Sequence, residues 1–448
     1  MGKLFGTDGI RGIANEDLSC ELSLKVARAS AQVLMRRFHK KPKVIIGQDT
    51  RESGNMIGFA MASGFTSAGA DVVMLGVVPT PAVAYLVRKY NADIGVVISA
   101  SHNPSKFNGI KLFNGDGYKL LDEIEDEIEN CIFSGDIVPA EQIGNISFCD
   151  TAAKDYVDFL LSSVEEKDFS SLKIVVDCAN GASYITAKPL FEALGANAEI
   201  IFDNPNGKNI NDGCGSTHLD KLAKRVVEGG YDIGIAFDGD ADRCLAVDEQ
   251  GNILDGDRVI AALAVDLKQR NKLTGNKVVV TTMTNMGFNK AMEKEGIEVV
   301  ATKVGDRYVL EEMLKQGLSV GGEQSGHLIL LDINTTGDGQ LTALALLSYL
   351  IRTKQKASYV TELVTPYPQV LMNVKADRDE KEFLNEDVEF NSVIDDAKIT
   401  LGKNGRVVIR PSGTEPLVRV MVEGADLDIV TQLANTIAKT AEKRIAEK

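Results

Sequence analysis

The chain has 448 residues, 44% of them hydrophobic and 25% charged, with a net charge of −15. That length is too great for one ordinary domain, and the acidic balance argues against a broad nucleic-acid or anionic-membrane surface, while a local Arg/Lys cluster can still hold a small anion. No run approaches the roughly 18 apolar residues of a membrane span, the N-terminus shows no apolar signal core, and the 6 cysteines, with no C-x-x-C pair, suggest reduced thiols and neither a zinc site nor a disulfide framework.

The expected setting is therefore a cytoplasm, with a small-molecule partner and neither nucleic acid nor membrane. Residues 5–12, Phe-Gly-Thr-Asp-Gly-Ile-Arg-Gly, carry three glycines with Thr7 and Arg11 between them. Such a loop can bring backbone N–H groups and Arg11 to an anion. It is equally a plain glycine turn. Apolar Leu24, Val26, Ala27, Ala31, Val33 and Leu34 predict an amphipathic helix over Ser23 to Phe38.

An internal repeat follows. Lys43-Val-Ile-Ile-Gly, Lys173-Ile-Val-Val-Asp and Lys277-Val-Val-Val-Thr read as three similar buried strands, each leading through a polar turn to a helix. Each helix ends at a glycine (Gly69, Gly195, Gly296) before a second strand. A further helix and a third strand complete the unit. In the first two copies the third strand opens alike, Asp93-Ile-Gly-Val-Val-Ile and Asp232-Ile-Gly-Ile-Ala-Phe, and in the third it is expected at Leu318-Ser-Val-Gly. The period is far longer than that of a solenoid, so these are repeated domains. Leu341 to Ile351 reads as a core helix.

Each third strand runs into a loop with chemistry. The first copy gives Ser99-Ala-Ser-His-Asn-Pro, the second Asp238-Gly-Asp-Ala-Asp-Arg243, the third Gly322-Glu-Gln-Ser-Gly-His327. Open α/β sheets place their sites at the carboxyl ends of strands, so equivalent strand ends facing a common cleft would gather these groups. After Pro366-Tyr-Pro368 the pattern changes. Val370 to Lys375, Lys398 to Leu401, Arg406 to Arg410 and Leu417 to Val422 read as short strands, and Asp428 to Glu447 as a closing helix. The expected architecture is three related α/β domains and a smaller α+β domain, with boundaries 1–153, 154–254, 255–368 and 369–448.

Asp238, Asp240 and Asp242 stand at alternate positions. Carboxylates this close need a cation, and a hard one such as Mg²⁺ wants oxygen ligands. A calcium loop is rejected although Glu249 falls at its twelfth position, because Arg243 occupies the sixth, where the sharp turn wants glycine. A solvated acidic turn is the plainer alternative, set against a preceding strand of buried type. A metal beside a serine suggests phosphoryl transfer. Neither a G-x-x-x-x-G-K-[ST] loop nor a full G-x-G-x-x-G fingerprint occurs, which leaves a phosphate carried on Ser101. Arg410-Pro-Ser-Gly-Thr-Glu-Pro416 reads as a phosphate cradle or as a hairpin turn. In the cradle, Ser412, Thr414 and the backbone at Gly413 donate, while Arg410 and Arg419 supply charge. Lys111 is an acid/base candidate or a solvated lysine. His102 and His327 are two of 4 histidines and both lie in these loops.

Taken together, these four loops, in this order and over essentially the whole chain, resemble the α-D-phosphohexomutase superfamily. The N-terminal loop and the Gly-Glu-Gln-Ser-Gly-His loop look closest to its bacterial amino-sugar branch. The resemblance implies that Ser101 is the phosphoserine and joins Asp238, Asp240 and Asp242 around Mg²⁺. It implies that Glu323, Ser325 and His327 bind sugar, and that Arg410, Ser412, Gly413, Thr414 and Arg419 bind phosphate. Lys111, with His102, would be the acid/base, and Thr7, Arg11 and Arg243 would support the site. The implied reaction exchanges glucosamine 6-phosphate and glucosamine 1-phosphate through a 1,6-bisphosphate, with that compound or glucose 1,6-bisphosphate as primer, and feeds UDP-N-acetylglucosamine and cell-wall synthesis. A homodimer is implied. A phosphomannomutase or phosphoglucomutase is the first alternative, and a phosphosugar hydrolase belongs to another class.

Overall fold

Short runs of valine, isoleucine and leucine build three sheets of one design. In the first, β1 (Ile10–Ile13), β2 (Lys43–Gln48), β3 (Asp71–Val77), β4 (Ile94–Ile98), β5 (Phe107–Asn114) and β6 (Ile146–Phe148) stand in the order β1-β5-β4-β2-β3-β6. The second has β7 (Lys173–Asp177), β8 (Asn197–Ile201), β9 (Ile233–Phe237), β10 (Cys244–Asp248) and β11 (Ile253–Leu254), in the order β11-β10-β9-β7-β8. The third has β12 (Lys277–Thr281), β13 (Glu298–Thr302), β14 (Val320–Gly322) and β15 (Leu328–Leu330), in the order β13-β12-β14-β15. Each is built on three parallel strands, to which the first sheet adds β6, and an antiparallel return strand: β5 on β4, β10 on β9, β15 on β14. The three loops singled out from the sequence are thus the connections between a third parallel strand and its return strand. The third copy's strand begins at Val320, two residues later than expected.

Every residue of β4 and of β9 is buried, as parallel strands covered on both faces must be. A slip of one residue would turn each side chain to the opposite face. Burial of each large aliphatic side chain contributes about 1.5–3 kcal/mol, so the register is strongly held and the loops at the strand ends are fixed with it.

The structure is a computed structural model and describes residues 4–6, 8–38, 40–138, 140–412 and 416–448. The three sheets belong to one compact unit, drawn from residues 1–284 and 292–363. A second unit comprises 285–291 and 364–448. There β16 (Gln369–Lys375), β17 (Gly405–Pro411) and β18 (Leu417–Gly424) form an antiparallel sheet in the order β16-β18-β17. Its core includes Val374, Leu384, Phe390, Ile394, Val420, Val430 and Ile437. The architecture is three α/β domains followed by a smaller α+β domain.

One expected strand is absent. Lys398 to Leu401 is the last turn of the helix Val388–Leu401. Its Lys-Ile-Thr-Leu run has strand-like residues, but buried Phe390, Ile394 and Ala397, with Leu401 packed against the same core, recur at helical spacing. Packing of that face outweighs local preference. The helix before it, Arg378–Glu386, opens with a reciprocal capping box between Asp377 and Glu380.

Candidate active site

Ser101 stands three residues past the end of β4, with φ 52. A non-glycine residue held in the left-handed region needs a surrounding that over-determines it. Here Ser99 accepts the Ser101 N–H at 2.9 Å and donates to Asp49 Oδ2 at 2.6 Å. Arg51, fully buried, binds the same carboxylate through Nε at 2.9 Å. Its other nitrogens donate to four loop carbonyls: Pro104 at 2.6 Å, Phe107 at 3.0 Å, Ser101 at 2.9 Å and Asn103 at 2.8 Å. Asn211 adds a second donor to Ser101 O at 2.9 Å. The result is a hydroxyl aimed at the metal loop: Ser101 Oγ donates to Asp238 Oδ2 at 2.6 Å and lies 3.3 Å from His102 Nδ1. Sequence reasoning missed Asp49, Arg51 and Asn211. Asp49-Thr-Arg directly follows β2, the neighbour of β4, and that position was the available signal.

Asp238, Asp240 and Asp242 are buried, and one oxygen from each lies within 4.8 Å of the others. Peptide groups fix the loop's path. Gly239 O accepts from Ala182 N at 2.7 Å, Asp240 O from Thr80 N at 2.9 Å, and Ala241 O from Gly339 N at 3.0 Å. Gly239 passes so near the serine loop that a Cβ there would stand 2.6 Å from Ser101 O. Gly239→Ala must therefore push the two loops apart. The expected result is loss of most activity with a stability cost of about 1–3 kcal/mol in urea unfolding. Unchanged turnover would mean that this close approach is unnecessary.

The donor set fits a divalent cation. Asp240 Oδ2 is satisfied by Thr80 Oγ1 at 2.7 Å and Lys111 Nζ at 2.9 Å, and Asp242 Oδ2 by Lys111 at 3.3 Å. Asp240 Oδ1 and Asp242 Oδ1, by contrast, are buried without a hydrogen-bond partner. Such orphaned carboxylate oxygens are costly unless something takes their lone pairs, and Mg²⁺ is bound by oxygens of this kind. Burial, followed by the charges of Asp242 and Asp240, pushes the Asp238 carboxyl well above the usual range. Burial works in the same direction on Asp242, but Lys111 holds it below that range.

Lys111 is on β5 and is 1% exposed, so the solvated alternative does not apply. Burial opposes its charge, yet Asp240, Asp8 and Asp242 together hold it well above its ordinary value. His102 goes the other way. Burial, then the nearby charges of Arg243 and Arg11, lower it to about 4, so its ring is neutral at neutral pH. Arg11 pairs with Asp8. Arg243 donates its backbone N–H to Asp238 Oδ1 at 3.1 Å.

The third loop is joined to the metal loop through its backbone. Arg243 and His327 form an antiparallel bridge, and Cys244 N donates to Gly326 O at 3.0 Å. His327 Nε2 accepts from Gly337 N at 3.2 Å, leaving Nδ1 toward Asp242 Oδ1 at 3.7 Å. Glu323 Oε1 accepts from Gly305 N at 3.1 Å. Ser325 Oγ is buried with no hydrogen-bond partner. Gln324 donates from Nε2 to Asp255 Oδ2 at 3.3 Å, and its carbonyl takes Gly256 N at 2.9 Å.

The first unit thus brings together Ser101, His102, Lys111, the three aspartates, Arg11, Arg243 and His327. Arg410, Ser412 and Arg419 belong to the second unit. There Arg410 on β17 stands directly opposite Arg419 on β18. Two guanidinium groups at facing positions can serve one anion. Thr7, Gly413 and Thr414 lie outside the described residues.

Four phosphoglucomutase/phosphomannomutase domain models match the chain in order: α/β/α domain I at 2–138, II at 154–251, III at 255–367 and the C-terminal domain at 371–440. The phosphoglucosamine mutase of Clostridium kluyveri is 51% identical over 450 residues, covering 99% of this chain and 100% of that protein. The chain belongs to the phosphoglucosamine mutase family. Membership of the phosphoglucosamine mutase family makes the protein a phosphomutase, an isomerase. Solved structures share the fold. A phosphoglucomutase/phosphomannomutase family protein from Burkholderia thailandensis superposes with a TM-score of 0.83 at 24% identity, covering 100% of this chain and 98% of that one. The Aspergillus fumigatus N-acetylphosphoglucosamine mutase, solved with GlcNAc-6P and magnesium, gives 0.68 at 18% identity, covering 98% and 95%.

Proposed function

We propose that the protein interconverts glucosamine 6-phosphate and glucosamine 1-phosphate through a phosphoserine at Ser101. The observation that carries the reading is the Ser101 hydroxyl 2.6 Å from Asp238, at the edge of a buried carboxylate triad. In the first half-reaction the phosphoryl group leaves Ser101 Oγ for the sugar's 1-hydroxyl, giving the 1,6-bisphosphate. The intermediate turns round. Its 6-phosphoryl group then moves to Ser101, and glucosamine 1-phosphate is released. A primer, glucosamine or glucose 1,6-bisphosphate, loads Ser101 initially.

Asp238, Asp240 and Asp242 would hold Mg²⁺, which when bound neutralises phosphoryl oxygens. Lys111, held as an ammonium against Asp240 and Asp242, sets positive charge at the carboxylate triad that Ser101 Oγ meets, where the transferring group's oxygens gather charge. His102, neutral and 3.3 Å from Ser101 Oγ, can accept the proton of the attacking hydroxyl and return it to the leaving oxygen. Glu323 and Ser325 are assigned to ring substituents, and the free Ser325 Oγ can serve as donor or acceptor to the sugar. The facing arginines Arg410 and Arg419 are assigned to the phosphate that is not reacting, with bonds worth about 1.5–3 kcal/mol each. Water must be excluded, since a phosphoserine open to solvent would make the enzyme a hydrolase.

The test is an isomerisation assay over glucosamine, glucose and mannose 6-phosphates with a trace of bisphosphate. Glucosamine 6-phosphate is expected to lead by at least about tenfold in kcat/KM, or ~1.4 kcal/mol. Gln324 is held by Asp255, so it acts on specificity by shaping the loop, and Gln324→Met is expected to narrow the preference. Equal turnover of mannose 6-phosphate would favour a phosphomannomutase. Stoichiometric release of inorganic phosphate would favour a hydrolase.

A further inference from the structure

A closed ring of five charged groups and one imidazole runs out from Lys111 and back to it. Lys111 Nζ lies 3.2 Å from Asp8, Asp8 pairs with Lys119 at 2.5 Å, and Lys119 pairs with Asp306 at 2.5 Å. Asp306 is 3.7 Å from His327 Nε2, and His327 Nδ1 is 3.7 Å from Asp242, which takes Lys111 at 3.3 Å. The ring crosses from the segment after β5 to the first turn of the helix Asp306–Gln316, which precedes β14.

That turn has two holds. Gly305, at φ 134 in a region open in practice to glycine alone, gives its N–H to Glu323 Oε1 at 3.1 Å. The next two residues grip the segment after β5. Asp306 takes Lys119, while Arg307 donates to Leu120 O at 3.2 Å and to Glu125 Oε2 at 3.1 Å, and pairs with Asp122. One short turn therefore ties the sugar-loop carboxylate to the segment that follows the strand carrying Lys111.

Lys119 and Asp306 have only 12% and 17% of their side chains exposed. Burial opposes the charge on Lys119, but Asp306 and Asp8 push its ammonium up to about 12. Ion pairs so placed are weak contributors to stability, and packed apolar residues serve a fold at least as well. A role in geometry accounts for them better.

We propose that Lys119 and Asp306 are positioning residues of the phosphomutase reaction: their ion pair sets the spacing between Glu323, which orients the sugar, and Lys111, which pairs with Asp240 and Asp242 of the metal loop. The proposal rests on the phosphoglucosamine mutase reading above. The pair fixes where the sugar stands relative to the phosphoserine in both half-reactions, and a displacement of about 1 Å is enough to cost a hundredfold in rate.

The test compares Asp306→Asn, Lys119→Met and the double variant with the wild-type enzyme on glucosamine 6-phosphate. Each single variant is expected to lose at least about tenfold in kcat while KM moves by less than about threefold. The final extent of Ser101 loading after long incubation with bisphosphate, read by intact mass, is expected to match wild type, because the Ser101–Asp238 contact is untouched, while the rate of loading falls with kcat. Free bisphosphate released per turnover is expected to rise, as the loosened sugar loop lets the intermediate escape. The double variant is expected to be no worse than the poorer single one, since both remove the same bond. Unchanged kcat, or two losses that multiply, would overturn the proposal. Should Asp306→Asn fail to fold, Asp306→Glu keeps the charge and lengthens the bridge by one methylene. It is expected to fold with a lowered kcat and a near-normal KM, and a wild-type kcat would count against the positioning role. A wild-type enzyme inactive on glucosamine 6-phosphate would instead refute the reading on which the proposal rests.

Discussion

Ser101→Ala is expected to abolish isomerisation, by more than about a thousandfold, or ~4 kcal/mol of barrier. The neighbouring hydroxyls are committed elsewhere: Ser99 Oγ donates to Asp49 at 2.6 Å and Thr80 Oγ1 to Asp240 at 2.7 Å. The substitution removes one oxygen, and the loop remains clamped by Arg51 and Asn211 through carbonyls that alanine retains. The variant should therefore fold, and should take up no phosphate from bisphosphate. Intact-mass measurement and peptide mapping after incubation with bisphosphate check both points, with wild type gaining one phosphate at Ser101. Activity close to wild type in Ser101→Ala would end the covalent route.

The second large effect is expected at the triad. Asp240→Asn keeps an oxygen for Thr80 and Lys111, so the loop retains its path, but it removes one charge from the only group of three clustered metal-ligand side chains among the described residues. Turnover is expected to fall by at least about a hundredfold. A second readout does not depend on chemistry. A ligand that binds only the folded state stabilises it by about 2.7 kcal/mol at a hundred times its dissociation constant. Mg²⁺ is thus expected to raise the melting temperature of the wild-type protein and to leave that of Asp240→Asn nearly unmoved. An undiminished shift in the variant would place the cation elsewhere.

Much of the site was legible because its parts sit at strand ends. A buried strand followed by Ser-His-Asn-Pro, and another followed by Asp-Gly-Asp-Ala-Asp, locate their chemistry by local pattern alone. Lys111 was half legible. The sequence left it between an acid/base and a surface lysine, although it lies between Ile110 and Leu112 in a strand whose interior is buried throughout. Asn211 and Thr80 were not legible. Each acts on a loop far away in sequence, and a polar residue in a turn announces nothing about which distant carbonyl it will meet. Lys398 to Leu401 shows the same limit for the fold. Four residues of strand-like composition were read locally, while the spacing of Phe390, Ile394 and Leu401 across the whole segment decided for a helix.

The metal loop hangs from peptide N–H groups at residues 182, 80 and 339, a kind of support that any amino acid except proline supplies. Selection on the identity of Ala182 is correspondingly relaxed with respect to this contact. The hairpin that reads the sugar meets the metal loop through residues 326 and 327, while Glu323 and Gln324 have attachments of their own, at Gly305 and Asp255. Substitutions at 323–325 and at their anchors can therefore retune sugar preference while the phosphoryl-transfer apparatus stays as it is. On this scaffold, a new substrate asks for retuning one hairpin and not for reinventing a reaction.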